Sequence, residues 1–168
     1  CPRMREHQTA DGNYYLTAVE QAELNPDSNP GGLILEPQPD GSVLFYSNEP
    51  DGRVLVRKTF PYGLVQFFEG PQNEERLVRM EYHGDLVEFY EGPRGQERIV
   101  RITFRDGEEQ FFEGPREEER VVSKHFPDGA AQFFEGPPGQ ERLVRATFPS
   151  GNVIFYEGPQ GEERLVNQ

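Results

Sequence analysis

A phenylalanine returns every 22 residues: Phe45, Phe67, Phe89, Phe111, Phe133 and Phe155 stand at unbroken spacing. Each is followed by a second aromatic residue, Tyr46, Phe68, Tyr90, Phe112, Phe134 or Tyr156. The last five of these pairs run directly into Glu-Gly-Pro, beginning at Glu69, Glu91, Glu113, Glu135 and Glu157. Glycine keeps the same frame at Gly41, Gly63, Gly107, Gly129 and Gly151, with Gly84 shifted by one. Arg-Leu-Val-Arg stands at Arg76 to Arg79 and at Arg142 to Arg145, with variants starting at Arg98, Arg120 and Arg164. A self-similar period in the range of roughly 20–50 residues marks an array of stacked units. The period is weaker upstream, where Leu33-Ile34-Leu35 precedes Leu55-Val56-Arg57 by one frame. Residues 1–32 read as a degenerate first hairpin (Arg3 to Gly12, then Tyr14-Tyr15) plus an irregular insertion or cap, with a short helical turn expected around Ala18 to Leu24. Residues 33–168 form the repeat array.

One unit can be read from turn chemistry. In Phe126-Pro127-Asp128-Gly129, Pro pre-sets φ at the first central position, Asp suits the next, and Gly accepts positive φ on exit. The strand that follows spans Ala131 to Glu135, and the Pro of Gly136-Pro137-Pro138-Gly139 ends it by donating nothing to a ladder. Arg142 to Phe148, with its β-branched and aromatic residues, suits the next strand. Each repeat is therefore strand, tight turn, strand, loop. The fold class expected is all-β, an elongated single-layer antiparallel sheet of tandem hairpins.

If Phe126 pairs with Ala130 across its turn, Ser123 faces Phe133 and Val122 faces Phe134. Carried around the array, Val78, Val100 and Val144 lie beside Tyr90, Phe112 and Tyr156 on one face. The other face pairs Arg57, Arg79, Arg101 and Arg145 with Phe67, Phe89, Phe111 and Phe155. A slip of one residue would exchange the faces. Arg stems over Phe rings can cover a sheet that lacks a second layer, and the same residue types dominate binding hot spots. The binding-face candidates are thus Phe67, Phe89, Phe111, Phe133, Phe155, Arg57, Arg79, Arg101, Arg145 and His125. His125 enters because Ser123-Lys124-His125 replaces the Arg-containing pattern and Ala130-Ala131 trims the strand after it.

These residues resemble the membrane occupation and recognition nexus (MORN) repeats. Phe126-Pro127-Asp128-Gly129 with Phe134-Glu135-Gly136, and Phe148-Pro149-Ser150-Gly151 with Tyr156-Glu157-Gly158, match that family's aromatic-Pro-Asp-Gly and Tyr-Glu-Gly pattern. The likeness covers Gly41 to Val166. It departs from the family where a glycine-rich His-Gly-x-Gly segment is usual and Glu-Arg-Leu-Val-Arg stands instead. What the resemblance implies is a curved sheet serving as a scaffold or dimerisation platform.

Composition narrows the function. Hydrophobic residues are 34%, and the formal net charge is -13, a balance that leans toward disorder unless aromatic residues are placed regularly, as they are here. The charge disfavours nucleic acid and anionic lipid, both of which need clustered Lys and Arg. No apolar run approaches the ~20 residues of a spanning helix, so no transmembrane segment is expected, while peripheral membrane association stays open. Cys1 is the only cysteine, so no intrachain disulfide forms and an intracellular setting is expected. A start at Cys1 suggests processing or a fragment.

His7, His83 and His125 occupy unrelated slots, no Cys/His metal spacing exists, and no nucleophile or phosphate-loop motif is present. The expectation is a non-enzymatic protein without cofactor or metal. The acidic loops (Glu74-Glu75, Glu97, Glu117-Glu118-Glu119, Glu141, Glu162-Glu163) could attract calcium, but they lack Asp and read more readily as a solvated edge. The favoured function is a protein–protein interaction scaffold or structural subunit of a multi-protein assembly, with terminal strands available for self-association. The alternative is a module binding calcium, glycan or lipid headgroup through the acidic edge or aromatic face.

Overall fold

The computed structural model describes residues 32–166; the expected first hairpin, the helical turn around Ala18 to Leu24, and His7 lie outside them. The chain divides into two compact units, Cys1–Gly84 with Pro93–Gly95, and Asp85–Gly92 with Gln96–Gln168. The described residues form thirteen antiparallel strands in one open sheet, ordered as they occur in the chain.

The first unit holds β1 (Ile34–Pro37), β2 (Val43–Glu49), β3 (Gly52–Thr59), β4 (Leu64–Glu69) and β5 (Arg76–Tyr82). The second holds β6 (Leu86–Glu91), β7 (Arg98–Phe104), β8 (Glu109–Glu113), β9 (Arg120–His125), β10 (Ala131–Glu135), β11 (Arg142–Thr147), β12 (Val153–Glu157) and β13 (Arg164–Leu165). Among the described residues the helical content is one 3-10 turn, Pro61–Gly63.

The tight turns follow the expected chemistry. Gly129 N–H donates to Phe126 O at 3.0 Å and Phe126 N–H to Ala130 O at 2.9 Å, while Gly129 takes φ +95. That is a three-residue hairpin loop, a turn closed by a left-handed glycine. Asp128 Oδ1 accepts from Ala130 N–H at 2.8 Å, as Asp40 does from Ser42 at 2.9 Å and Asp106 from Glu108 at 2.8 Å. β10 is five residues long, as are β8 and β12, and one residue shorter than β4 and β6.

The register corrects the expected valine pairings. Phe45 pairs with Arg57 but Tyr46 with Leu55, which leaves Val56 without a partner. The same bulge leaves over Val78, Val100, Val122 and Val144. In the second unit, the ladders on the far side of these strands end at the neighbouring pairs Arg101↔Phe111, Ser123↔Phe133 and Arg145↔Phe155. Val100, Val122 and Val144 are therefore not ladder partners of Phe112, Phe134 and Tyr156. A bulge adds one residue to one strand and increases local twist; turn chemistry fixes register only up to that point.

Burial is sparse. Among the described residues Val43, Phe45, Ala131 and Ala146 are the buried apolar ones, and most strand positions are half-buried. Such a sheet is held mainly by cross-strand side-chain pairs.

Candidate functional site: the phenylalanine–arginine face

Residues directly opposite one another in a ladder share a face, so the register defines rows. In the first unit the row runs Phe45, Arg57, Phe67, Arg79. In the second it runs Phe89, Arg101, Phe111, Ser123, Phe133, Arg145, Phe155. Aromatic and cationic residues alternate except at Ser123.

Each arginine is a ladder partner of a phenylalanine on either side where both pairings are described, yet its guanidinium selects one ring. Arg57 Cζ lies 4.0 Å from the Phe45 centroid, Arg79 4.0 Å from Phe67, Arg101 4.1 Å from Phe89 and Arg145 4.1 Å from Phe133. The chosen ring is always the one on the preceding strand. The bulge lies on that side, and the twist it adds re-aims the side chain. The expected partners Phe67, Phe111 and Phe155 are opposite Arg57, Arg101 and Arg145 in the ladder but do not take the guanidinium. Each stack contributes ~0.5–1 kcal/mol when exposed.

At the break in the row, His125 reaches in from two residues along. Its ring stands edge-on to Phe111 at 5.2 Å and to Phe133 at 6.0 Å, both at 83°. Its Nε2 lies 3.2 Å from Ser123 Oγ. An exposed imidazole thus takes the place that a guanidinium holds elsewhere.

The arginines differ in their acidic neighbours. Arg79 Nε is 3.1 Å from Glu81 Oε2, and Arg101 Nη1 is 3.6 Å from Glu109 Oε2. Arg145 has no carboxylate partner among the described residues. Phe155 beside it is 44% exposed, whereas Phe45 in the equivalent slot is 0% exposed.

The acidic edge resolves into two sets of ties. The glutamate of each Glu-Gly-Pro faces the arginine that ends its own loop: Glu69 with Arg76 at 3.8 Å, Glu91 with Arg98 at 3.7 Å, Glu113 with Arg120 at 3.6 Å, Glu135 with Arg142 at 3.6 Å and Glu157 with Arg164 at 3.0 Å. A second set clasps backbone. Leu55 N–H donates to Glu75 Oε2 at 2.9 Å, Ile99 to Glu119 at 3.1 Å, Val121 to Glu141 at 3.1 Å and Leu143 to Glu163 at 3.0 Å. Each donor precedes the bulged valine, and each acceptor comes from the next repeat's loop.

Burial pushes Glu75, Glu119 and Glu141 up, and their backbone hydrogen bonds outweigh it, so all three carboxyls are held below the ordinary glutamate value. Glu163 is lowered by its bond from Leu143 above all. Sequence reading grouped these residues with their neighbours as one acidic edge. A signal for their separate role was present: positions 75, 97, 119, 141 and 163 are all Glu, while the positions before them alternate Glu and Gln.

Among the described residues no cluster of three His, Cys, Asp or Glu could hold a metal ion. No helix of the described residues is long and apolar enough to cross a membrane. No family model matches the chain, and no curated protein matches it. The described residues form an open all-β sheet of tandem hairpins, and within each unit Phe and Arg share one face, broken at Ser123 in the second.

Proposed function

We propose that the chain is a non-enzymatic scaffold, a structural subunit that holds partner proteins on its phenylalanine–arginine face. One observation supports this most directly: the row from Phe89 to Phe155, in which the aromatic residues alternate with Arg101, Ser123 and Arg145. Those residue types carry most of the energy in protein interfaces, because they bury large rigid area and still donate hydrogen bonds. The hairpin repeat is read as a variant MORN-like unit with a bulkier strand, and its setting as intracellular. Self-association through the terminal strands belongs to the same reading, since an open strand edge is a template for pairing.

Calcium binding by the acidic edge is the weaker reading. Glu69, Glu91, Glu113, Glu135 and Glu157 already face arginines, and Glu75, Glu119, Glu141 and Glu163 already accept backbone N–H groups.

The test is mass spectrometry of what co-purifies with the native protein near physiological salt. A stoichiometric protein partner is expected, and it should be lost when Phe89, Phe111 and Phe133 become Ser in a variant whose circular dichroism matches the native chain. Phe155→Ser, at an exposed position, gives the same readout with less risk to folding. A protein recovered alone, or only with lipid, glycan or calcium, overturns the scaffold reading.

A further inference from the structure

Arg145 shares the second unit's row with Arg101, and Arg79 holds the matching place in the first unit's row, but the electrostatic setting of Arg145 is different. The carboxylate of Arg79 is two residues along its own strand, at Glu81. The carboxylate of Arg101 is eight residues on, in the facing strand, at Glu109. Counted from Arg145, those slots hold Thr147 and Val153. Both internal carboxylate positions are therefore filled by neutral residues, and the guanidinium stays stacked on Phe133 at 4.1 Å. Stacking uses the face of the group and leaves its in-plane N–H donors free to bond outward. Arg145 is exposed, and its flanks are apolar: Phe155 is 44% exposed and Val153 41% exposed.

We propose that this corner of the second unit is a carboxylate-recognition site for an acidic partner peptide, with Arg145 as the anchor and Phe155 and Val153 seating the apolar residue beside the acid. The proposal rests on the scaffold reading and names the partner's chemistry. The guanidinium fork matches a carboxylate in two parallel N–H···O bonds, a geometry an ammonium cannot reproduce. A stacked arginine is already held in one orientation, so less side-chain freedom is lost on binding. Arg101 lies in the same row but has its own glutamate, so an incoming acid would have to displace Glu109 there.

The test uses the full chain labelled with 15N and two probes: a five-residue Leu-Glu-Leu-Glu-Leu peptide with blocked ends, and its Leu-Gln-Leu-Gln-Leu counterpart. The glutamate peptide should move the Arg145 Nε–H resonance and the Phe155 backbone amide, and the glutamine peptide should not. Arg145→Gln should weaken the glutamate peptide at least tenfold, Arg145→Lys should lie between, and Arg105→Gln, at an exposed turn outside this row, should bind as the native chain does. Equal binding of the two peptides, or an unchanged affinity in a folded Arg145→Gln chain, overturns the proposal. If Arg145→Gln fails to fold, the Lys variant and the peptide pair decide. Loss of this site alone leaves the scaffold reading standing wherever the native partner still requires Phe89, Phe111 and Phe133.

Discussion

The two ends of each hairpin obey different rules. From Glu69 onward the connecting loops repeat nearly verbatim, Glu-Gly-Pro through Glu-Arg, while the tight turns vary between Pro-Asp-Gly, Pro-Tyr-Gly, His-Gly, Arg-Asp-Gly and Pro-Ser-Gly. The turns need only reverse the chain, and several chemistries do that. Tyr62 (φ 72) and His83 (φ 49) manage it in left-handed conformations that favour glycine. A loop residue does more. A Cβ on Gly136 would stand 2.7 Å from Gln140 O at φ +118, Glu135 faces Arg142, and Glu141 holds the Val121 amide. Sequence is strict where one residue answers to several constraints at once.

That contrast can be broken most sharply at Gly136. Gly136→Ala meets both the close carbonyl and the positive φ, and should cost about 2–3 kcal/mol in urea denaturation. Gly139→Ala, at φ +79 with nothing within 4 Å, should cost only about 1 kcal/mol. Equal losses at the two sites would show that crowding does not govern the loop.

Glu141→Ala should come next, at about 1 kcal/mol, because it leaves the Val121 N–H unpaired at a site partly screened by water. Its sign with pH is fixed. A carboxyl held below the ordinary value of 4.5 adds stability above that value and loses it as pH falls through its lower folded value. The stability gap between native and Glu141→Ala chains should therefore hold steady from neutral pH down to that range and close below it. A gap that widened in acid would refute the clasp.

At the turn end, Asp128→Ala removes the 2.8 Å acceptor of Ala130 N–H and should cost about 0.5–1 kcal/mol. Ser150→Ala, where the bond is 3.4 Å, should cost less when measured in parallel. The smallest effect should be a gain. Glu117 occupies a left-handed φ of 70 where the equivalent Gly139 and Gly161 sit easily, so Glu117→Gly should raise stability by roughly 0.5 kcal/mol. A lower midpoint for that variant would mean Glu117 makes a contact worth more than its strain.

Much of this fold was legible in the sequence, because period and turn chemistry are local. Pro127-Asp128-Gly129 pointed to the pairing of Phe126 with Ala130 and of Ser123 with Phe133, and the strand from Ala131 to Glu135 fell where expected. The bulge at Val56, Val78, Val100, Val122 and Val144 was not legible, since it is a backbone event that no side chain announces. Missing it assigned the wrong partners to Val100, Val122 and Val144 and hid which ring each guanidinium would select. The glutamate clasp went unread for a different reason: donor and acceptor are 20 residues apart in the chain, a separation that only the register brings together. The expected Arg and Phe fall in one row within each unit, but the singular position of Arg145 depends on Thr147 and Val153, which carry no functional signature of their own.

The clasp also has a direction in time. Leu55, Ile99, Val121 and Leu143 each donate to an acceptor made 20 residues later. During synthesis a hairpin emerges with one amide still open, and that amide closes only when the following loop leaves the ribosome. Each of these four hairpins is completed by the loop that follows it.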